Sequence, residues 1–425
     1  MSPARTQVPT RLRLPRHAAT SRHLMSAYPF QAQPGLPGRG VYLGADLLSG
    51  GSFAYDPWAL YPATLTNPNA LVVGNVGSGK STLVKIYLHR QVGVFGRQAF
   101  VVDPKGEYAA VADALGMATV RLSPGGRVRL NPLDPGPLGD DDPVAVARRR
   151  AEMVANLAAA GLDRRLRPEE RAGIDTAVGE LDARGVGQPV LSDVVDALLA
   201  PTGDMAARLR TSQVALAQAV REVALELRRL LSGDLAGMFD GPTTVPVVWS
   251  GRGLVLDLSA VFGSEALSLV MLCATSWLQA VLASHGGPRR IVVLDEAWAV
   301  LRDLGSARCL QASYKLSRSY GVSNVAVVHR LSDLRAQGAD GSEAVKLAQG
   351  LLADTETRVI FAQPASEVAT ATDLLGLTDT EAELLTRLRR GRALWKVGRH
   401  SAVVDHVVGP TERALVDTDA RMAAR

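Results

Sequence analysis

The chain has 425 residues, 47% of them apolar and 5% aromatic, with a formal net charge of +5. That length allows two or three domains, and the balance excludes a disordered, collagenous or disulfide-stapled protein. Two cysteines, Cys273 and Cys309, give no pairing pattern and no metal-ligand spacing, so a reducing, cytoplasmic setting is the expectation. Charge alone says little about partners, because six lysines against 41 arginines is a bias that high-GC coding can produce.

In chain order, residues 1–25 carry Arg5, Arg11, Arg13, Arg16 and Arg22 with no acid before Asp46 and no apolar signal-peptide core. They are expected to form a flexible basic tail. Residues 26–65 read as a short β-rich segment. Within it, "LLSGGS" (Leu47–Ser52) shares letters with the ABC-transporter signature, but it precedes the phosphate loop and reads as a turn. Strand-like runs then alternate with helical ones: Ala70–Val73, Ala99–Val102, Thr119–Leu122, Gly253–Asp257, Arg290–Leu294, Asn324–Val328 and Arg358–Phe361. These runs are continuously apolar, as strands covered on both faces must be. They predict an α/β fold with a doubly wound, largely parallel sheet.

Between the third and fourth runs the spacing is helical only, as in Val220, Val223, Leu227 and Leu230. The predicted organisation is therefore a core in two parts, 66–130 and 243–410, interrupted by an all-helical insert at 131–242 and followed by a tail at 411–425. The apolar stretch Ala266–Ala283 reaches a marginal membrane length, yet Ser268, Thr275 and Gln279 share one helical face, so it reads as a core helix. No transmembrane segment is expected. "GRALWKVGRHSAVVDHVV" reads as a hairpin around Gly398, closing the second part of the core.

The strand–loop–helix order of "LVVGNVGSGKSTLVKIYL" matches the phosphate-loop pattern at Gly74, Gly79, Lys80 and Ser81. Glycines let the backbone wrap a polyphosphate so that loop amides and the helix N-terminus face negative charge. The nucleotide-binding set is Gly74, Asn75, Val76, Gly77, Ser78, Gly79, Lys80, Ser81 and Thr82. Lys80 should reach the β- and γ-phosphates, and Ser81 should bind Mg²⁺. Downstream, "RRIVVLDEAW" ends a buried strand in Asp295 and Glu296. There Asp295 can hold the Mg²⁺ shell, while Glu296 orients and polarises the attacking water. A glutamate directly after the aspartate favours hydrolysis over transfer to a hydroxyl. No guanine-selective N-K-x-D element is present, so ATP is the expected nucleotide.

The ordered set "YPFQAQ", "GVYLGADLLSGGSFAYD", "VVDPKGEY", "LNPLD", "GDLAGMFDG", "LVLDLS", "VVLDEAW", "SRSYGVSNVAVVHRLSDL", "TRVIFAQP" and "GPTERALVDTD" resembles the VirB-four-like ATPases of conjugative type IV secretion. Those belong to the FtsK/HerA group of RecA-like P-loop motors. The resemblance implies a hexameric ring that hydrolyses ATP to energise export of DNA or protein across the envelope. It also implies a cytoplasmic placement, peripheral to the membrane through the proteins of an embedded secretion complex. Relatives usually carry a larger N-terminal domain, so attachment here would fall to a separate subunit or to the basic tail. Where such motors usually place a sensor glutamine, this chain has His329, which reads either as a γ-phosphate sensor or as a satisfied strand-tip histidine. Arg318 and Arg358 occupy family positions for an arginine donated to a neighbour's site, and each reads equally as a surface ion-pair residue.

Two rival readings remain. One is a DNA-pumping FtsK/HerA motor or a coupling protein acting directly on DNA; the other is a non-hydrolysing scaffold, against which Lys80, Asp295 and Glu296 argue. The arginines at 387, 389, 390 and 392 lack interleaved aromatics, so direct DNA contact is unassigned. "VVDPKGEY" itself reads as a strand-to-helix turn bent by Pro104 and Gly106 and capped by Asp103. The resemblance makes it a family marker and puts Asp103 and Glu107 near the nucleotide or a subunit interface.

Overall fold

The computed structural model describes residues 36, 38–134, 143–233, 235–244, 251–264, 267–282, 288–301, 304–332 and 343–416. The basic tail expected at 1–25 lies outside them. Among the described residues eleven strands make one sheet: β1 (Val41–Asp46), β2 (Ser52–Tyr55), β3 (Ala70–Val73), β4 (Gln98–Asp103), β5 (Ala118–Arg121), β6 (Gly253–Asp257), β7 (Arg290–Leu294), β8 (Val322–Val328), β9 (Thr357–Phe361), β10 (Arg392–Val397) and β11 (His400–His406). Their order across the sheet is β2-β1-β11-β10-β9-β3-β8-β7-β4-β6-β5. From β9 to β5 every neighbouring pair is parallel. The β10–β11 hairpin and the β1–β2 pair extend this parallel block antiparallel. The segment Leu47–Ser52 makes the turn between β1 and β2 and enters β2 at Ser52, with Asp46 accepting from the Leu48 N–H and the Ser49 hydroxyl.

Alternation along the strands divides the core. Val72, Val101, Val255, Val293 and Val327 face one side, where they meet Leu83, Val84 and Leu88 of the helix Lys80–Phe95. Leu71, Val73, Val102, Leu256 and Leu294 face the other. That second side is covered by the helix Leu267–Leu282, whose Val270, Met271, Leu272, Cys273, Ala274 and Trp277 are buried. No described helix is long and apolar enough to cross a membrane.

Between β5 and β6 the described residues form helices and no strand: Pro143–Gly161, Pro168–Ala183, Leu191–Leu199, Gly203–Arg208 and Gln213–Ser232. Leu157, Ile174, Val194, Val220, Val223 and Leu227 are fully buried among them. The two edges of this helical segment clasp each other. Leu130 N–H donates to the Met238 carbonyl at 2.8 Å, Thr244 N–H to the Arg129 carbonyl at 3.0 Å, and Asn131 N–H to the Thr243 hydroxyl at 2.9 Å. The insertion therefore begins and ends at one point beside the sheet edge, which lets these described helices interrupt the chain without breaking the strand order.

Candidate active site

Parallel strands converge their C-terminal ends on one rim, and open α/β sheets place ligands there. The order β9-β3-β8-β7-β4 sets the tips side by side. β3 delivers the phosphate loop, β8 delivers His329, β7 delivers Asp295 and Glu296, and β4 delivers the turn that opens at Asp103.

The loop is held from outside and within. Asn75 N–H donates to the Ala362 carbonyl after β9, and Gly391 N–H donates to the Ser78 carbonyl at 3.0 Å. A Cβ on Gly74 would stand 2.4 Å from Phe361 Cβ, so only glycine fits against β9 there. Gly79 caps the helix Lys80–Phe95 in a left-handed conformation with φ 113°. Lys80 is buried, and its Nζ donates to the loop's own carbonyls, Gly74 at 2.5 Å and Asn75 at 2.9 Å. Burial lowers its pKa to about 8, with Asp295 and Glu296 opposing that shift. At neutral pH most of the ammonium stays charged, held on these two loop carbonyls.

Asp295 and Glu296 are 3% and 2% exposed. Asp295 accepts the Glu296 N–H at 2.9 Å and the Tyr108 hydroxyl at 3.2 Å, and it forms no ion pair among the described residues. Burial first, then the neighbouring Glu296 charge, pushes its pKa up to about 6. Glu296 sits at φ 52°, a left-handed backbone uncommon for a side-chain-bearing residue and costing on the order of 1 kcal/mol. Its neighbours over-determine it: Ala297 N–H donates to the Val327 carbonyl of β8 and Ala299 N–H to the Glu296 carbonyl.

The Glu296 carboxylate gathers donors from three directions. Oε1 accepts from His329 Nε2 at 2.6 Å and from the Lys105 ammonium, and Oε2 accepts from the Trp298 indole N–H. Burial would raise its pKa, but the His329 and Lys105 contacts prevail and lower it to about 2. Lys105 and His329 meet around that single oxygen, with Nζ and Nε2 3.2 Å apart. Lys105 in turn has its pKa raised, the pull of Glu296 outweighing burial.

The other residues of the β4 turn complete the frame. Asp103 is buried and caps the turn, accepting N–H groups from Lys105 at 3.2 Å, Gly106 at 2.9 Å and Tyr108 at 2.9 Å. Glu107 pairs with the buried Lys85 of the phosphate-loop helix at 3.7 Å, and Lys85 lies 5.4 Å from the Tyr108 ring centre. The turn thus ties the phosphate-loop helix to the acidic strand tip.

Lys80, Asp295, Glu296 and His329 are brought together as a set; Lys105, Tyr108 and Trp298 join them without having been singled out by sequence reading. Lysine scarcity was the available signal, since Lys80, Lys85 and Lys105 are three of only six in the chain. Arg318 and Arg358 are not part of the set. Arg318 is exposed in the last turn of the helix Leu304–Tyr320, which leads into the start of β8, whereas the site lies at the ends of the strands. Arg358 lies near the start of β9, and its guanidinium donates to the helix-terminal carbonyls of Leu375 and Leu352. It lines an open cavity of about 590 Å³ with Thr66, Glu356, Lys396, Arg399 and His400, away from the phosphate loop.

No family model matches the chain, and no curated protein does. Solved structures do. VirB4 of Thermoanaerobacter pseudethanolicus superposes with a TM-score of 0.68 at 21% identity, over 89% of this chain and 99% of that one. The plasmid coupling protein TrwB in complex with a non-hydrolysable ATP analogue gives 0.59 at 19% identity, over 80% and 86%. TrwB in complex with ADP and Mg²⁺ gives 0.57 at 18% identity over the same shares. The chain has the RecA-like P-loop fold of these proteins.

Proposed function

We propose that this protein is an ATP-hydrolysing motor that energises type IV secretion, the transfer of DNA or protein across the cell envelope. The observation that carries the reading is the convergence of Lys80, Asp295, Glu296 and His329 on one rim of the sheet. Likeness to VirB4 over 99% of that structure supports the motor class, and the shorter TrwB match makes the coupling-protein alternative the less favoured.

Loop amides and the Lys80 ammonium bind the β- and γ-phosphates. Ser81 and Asp295 would hold Mg²⁺; a buried carboxylate with no ion pair among the described residues suits a cation that takes its remaining ligands from phosphate and water. When bound, the ion neutralises charge developing on the phosphate oxygens. Glu296, with its low proton affinity, orients the attacking water and His329 fixes the carboxylate. Water attacks the γ-phosphorus, the bond to the β-phosphate oxygen breaks, and ADP and phosphate leave. By the same reading the working form is a homo-hexamer docked on the proteins of a membrane-embedded complex.

Glu296→Gln should retain ATP binding and lose turnover by at least about 10². Lys80→Ala should weaken binding itself. Near-normal hydrolysis by the glutamine variant would sink the assignment. Large, salt-sensitive stimulation of the wild-type rate by DNA would favour the direct DNA motor instead.

A further inference from the structure

We infer that Lys105 is the triphosphate sensor of this site: before nucleotide binds its ammonium clamps Glu296, and when ATP enters it transfers to the terminal phosphate, freeing Oε1 for the attacking water. The inference rests on the ATPase reading above and adds what controls it.

Oε1 of Glu296 is fully engaged as it stands. Oε1 accepts from His329 and Lys105, Oε2 from Trp298, and the residue is almost fully buried. With two donors on it Oε1 has no free lone pair, so that oxygen can take a water only after one of them leaves. The three donors differ in freedom. His329 follows directly on the buried strand β8, and Trp298 opens a helical turn pinned by the Ala297 and Ala299 backbone bonds. Lys105 instead sits on the Pro104–Gly106 bend with its side chain 29% exposed, on a four-carbon stem.

The direction of release follows from charge. Lys80 stands on the phosphate loop after β3 and Lys105 on the turn after β4, with His329 and Glu296 at the tips of β8 and β7 between them, so both ammonium groups belong to the same rim. The Phe262 ring centre lies 5.7 Å from the Lys105 Nζ. A triphosphate brings several negative charges where Glu296 offers one, and a compact, mobile ammonium redistributes toward it. ADP ends one phosphate short and leaves the clamp closed. Nucleotide state is thereby converted into the availability of one carboxylate oxygen.

The test is equilibrium binding of Mg·AMPPNP and Mg·ADP to the full chain, alongside steady-state ATP turnover, for wild type, Lys105→Met and Lys105→Arg. The methionine variant should weaken AMPPNP by at least about fivefold while ADP stays within about twofold, and kcat should fall by about 10². Arginine, which keeps the charge, should restore most of the AMPPNP preference. In addition, Glu296→Gln should bind AMPPNP more tightly than wild type, and that gain should vanish in the Lys105→Met/Glu296→Gln double variant. An equal change for both nucleotides in Lys105→Met, no change at all, or a glutamine gain that survives loss of the lysine overturns the sensor. A wild-type chain without ATP turnover would instead overturn the ATPase reading, while the binding arms still judge Lys105.

Discussion

Asp103 shows how one side chain can set the geometry of several. Its carboxylate accepts three backbone N–H groups, and its pKa is raised by burial despite those bonds. Asp103→Ala would leave three donors without a partner in a buried turn, a loss of about 3 kcal/mol. It would also shift Lys105 and Tyr108 off Glu296 and Asp295, so turnover should fall at least about tenfold. Urea denaturation and ATPase assays check both, and a variant of wild-type stability would refute the capping role. Asp103 was legible as a cap from its place before Pro104 and Gly106. The Lys105–Glu296 pair was not, because 191 positions separate the partners and no local pattern joins them.

The helical insertion stands on its own electrostatics. Glu170 in the first turn of Pro168–Ala183 is buried and accepts a bidentate pair from Arg164 at 2.9 Å, plus the Arg167 N–H at 2.7 Å. Burial raises its pKa, but the Arg164 and Arg167 contacts override this and bring it from the ordinary 4.5 to about 2. A folded-state value below the unfolded one contributes stability that is fully present above pH 4.5 and is lost as pH falls toward 2. Glu170→Gln keeps an acceptor for the Arg167 N–H and removes the charge. With solvent reaching Arg164 and Arg167, it should cost about 2 kcal/mol at pH 7. The gap from wild type should narrow between pH 4.5 and 3, as read by urea titration at each pH. A gap constant with pH would mean that the charge is irrelevant there. Sequence periodicity exposed the helices through Val220, Val223, Leu227 and Leu230, but the Glu170–Arg164 anchor was hidden among 41 arginines.

The whole sheet decides what the site contains. Because β7 lies between β8 and β4, Glu296 is flanked by His329 on one side and Lys105 on the other, and β3 brings the phosphate loop in beside β8. Apolar runs revealed most of the strands, yet strand order is a non-local property that their spacing does not encode. The same order bears on Arg318. It precedes β8, whose seven residues extend roughly 20 Å before reaching the catalytic rim, so Arg318 cannot serve its own site. In a ring it can serve a neighbour's, where an arginine supplied in trans is worth about 10³ in rate. Arg318→Ala should therefore lower turnover by at least about 10² with ATP affinity little changed. Glu296→Gln chains have an intact Arg318 but no catalytic carboxylate, and Arg318→Ala chains have the reverse. Mixed rings would rejoin the two at a fraction of their interfaces, so mixing two inactive preparations under conditions of subunit exchange should recover activity. If the mixture stays as inactive as its components while exchange is confirmed by a tag pull-down, Arg318 does not act across the interface.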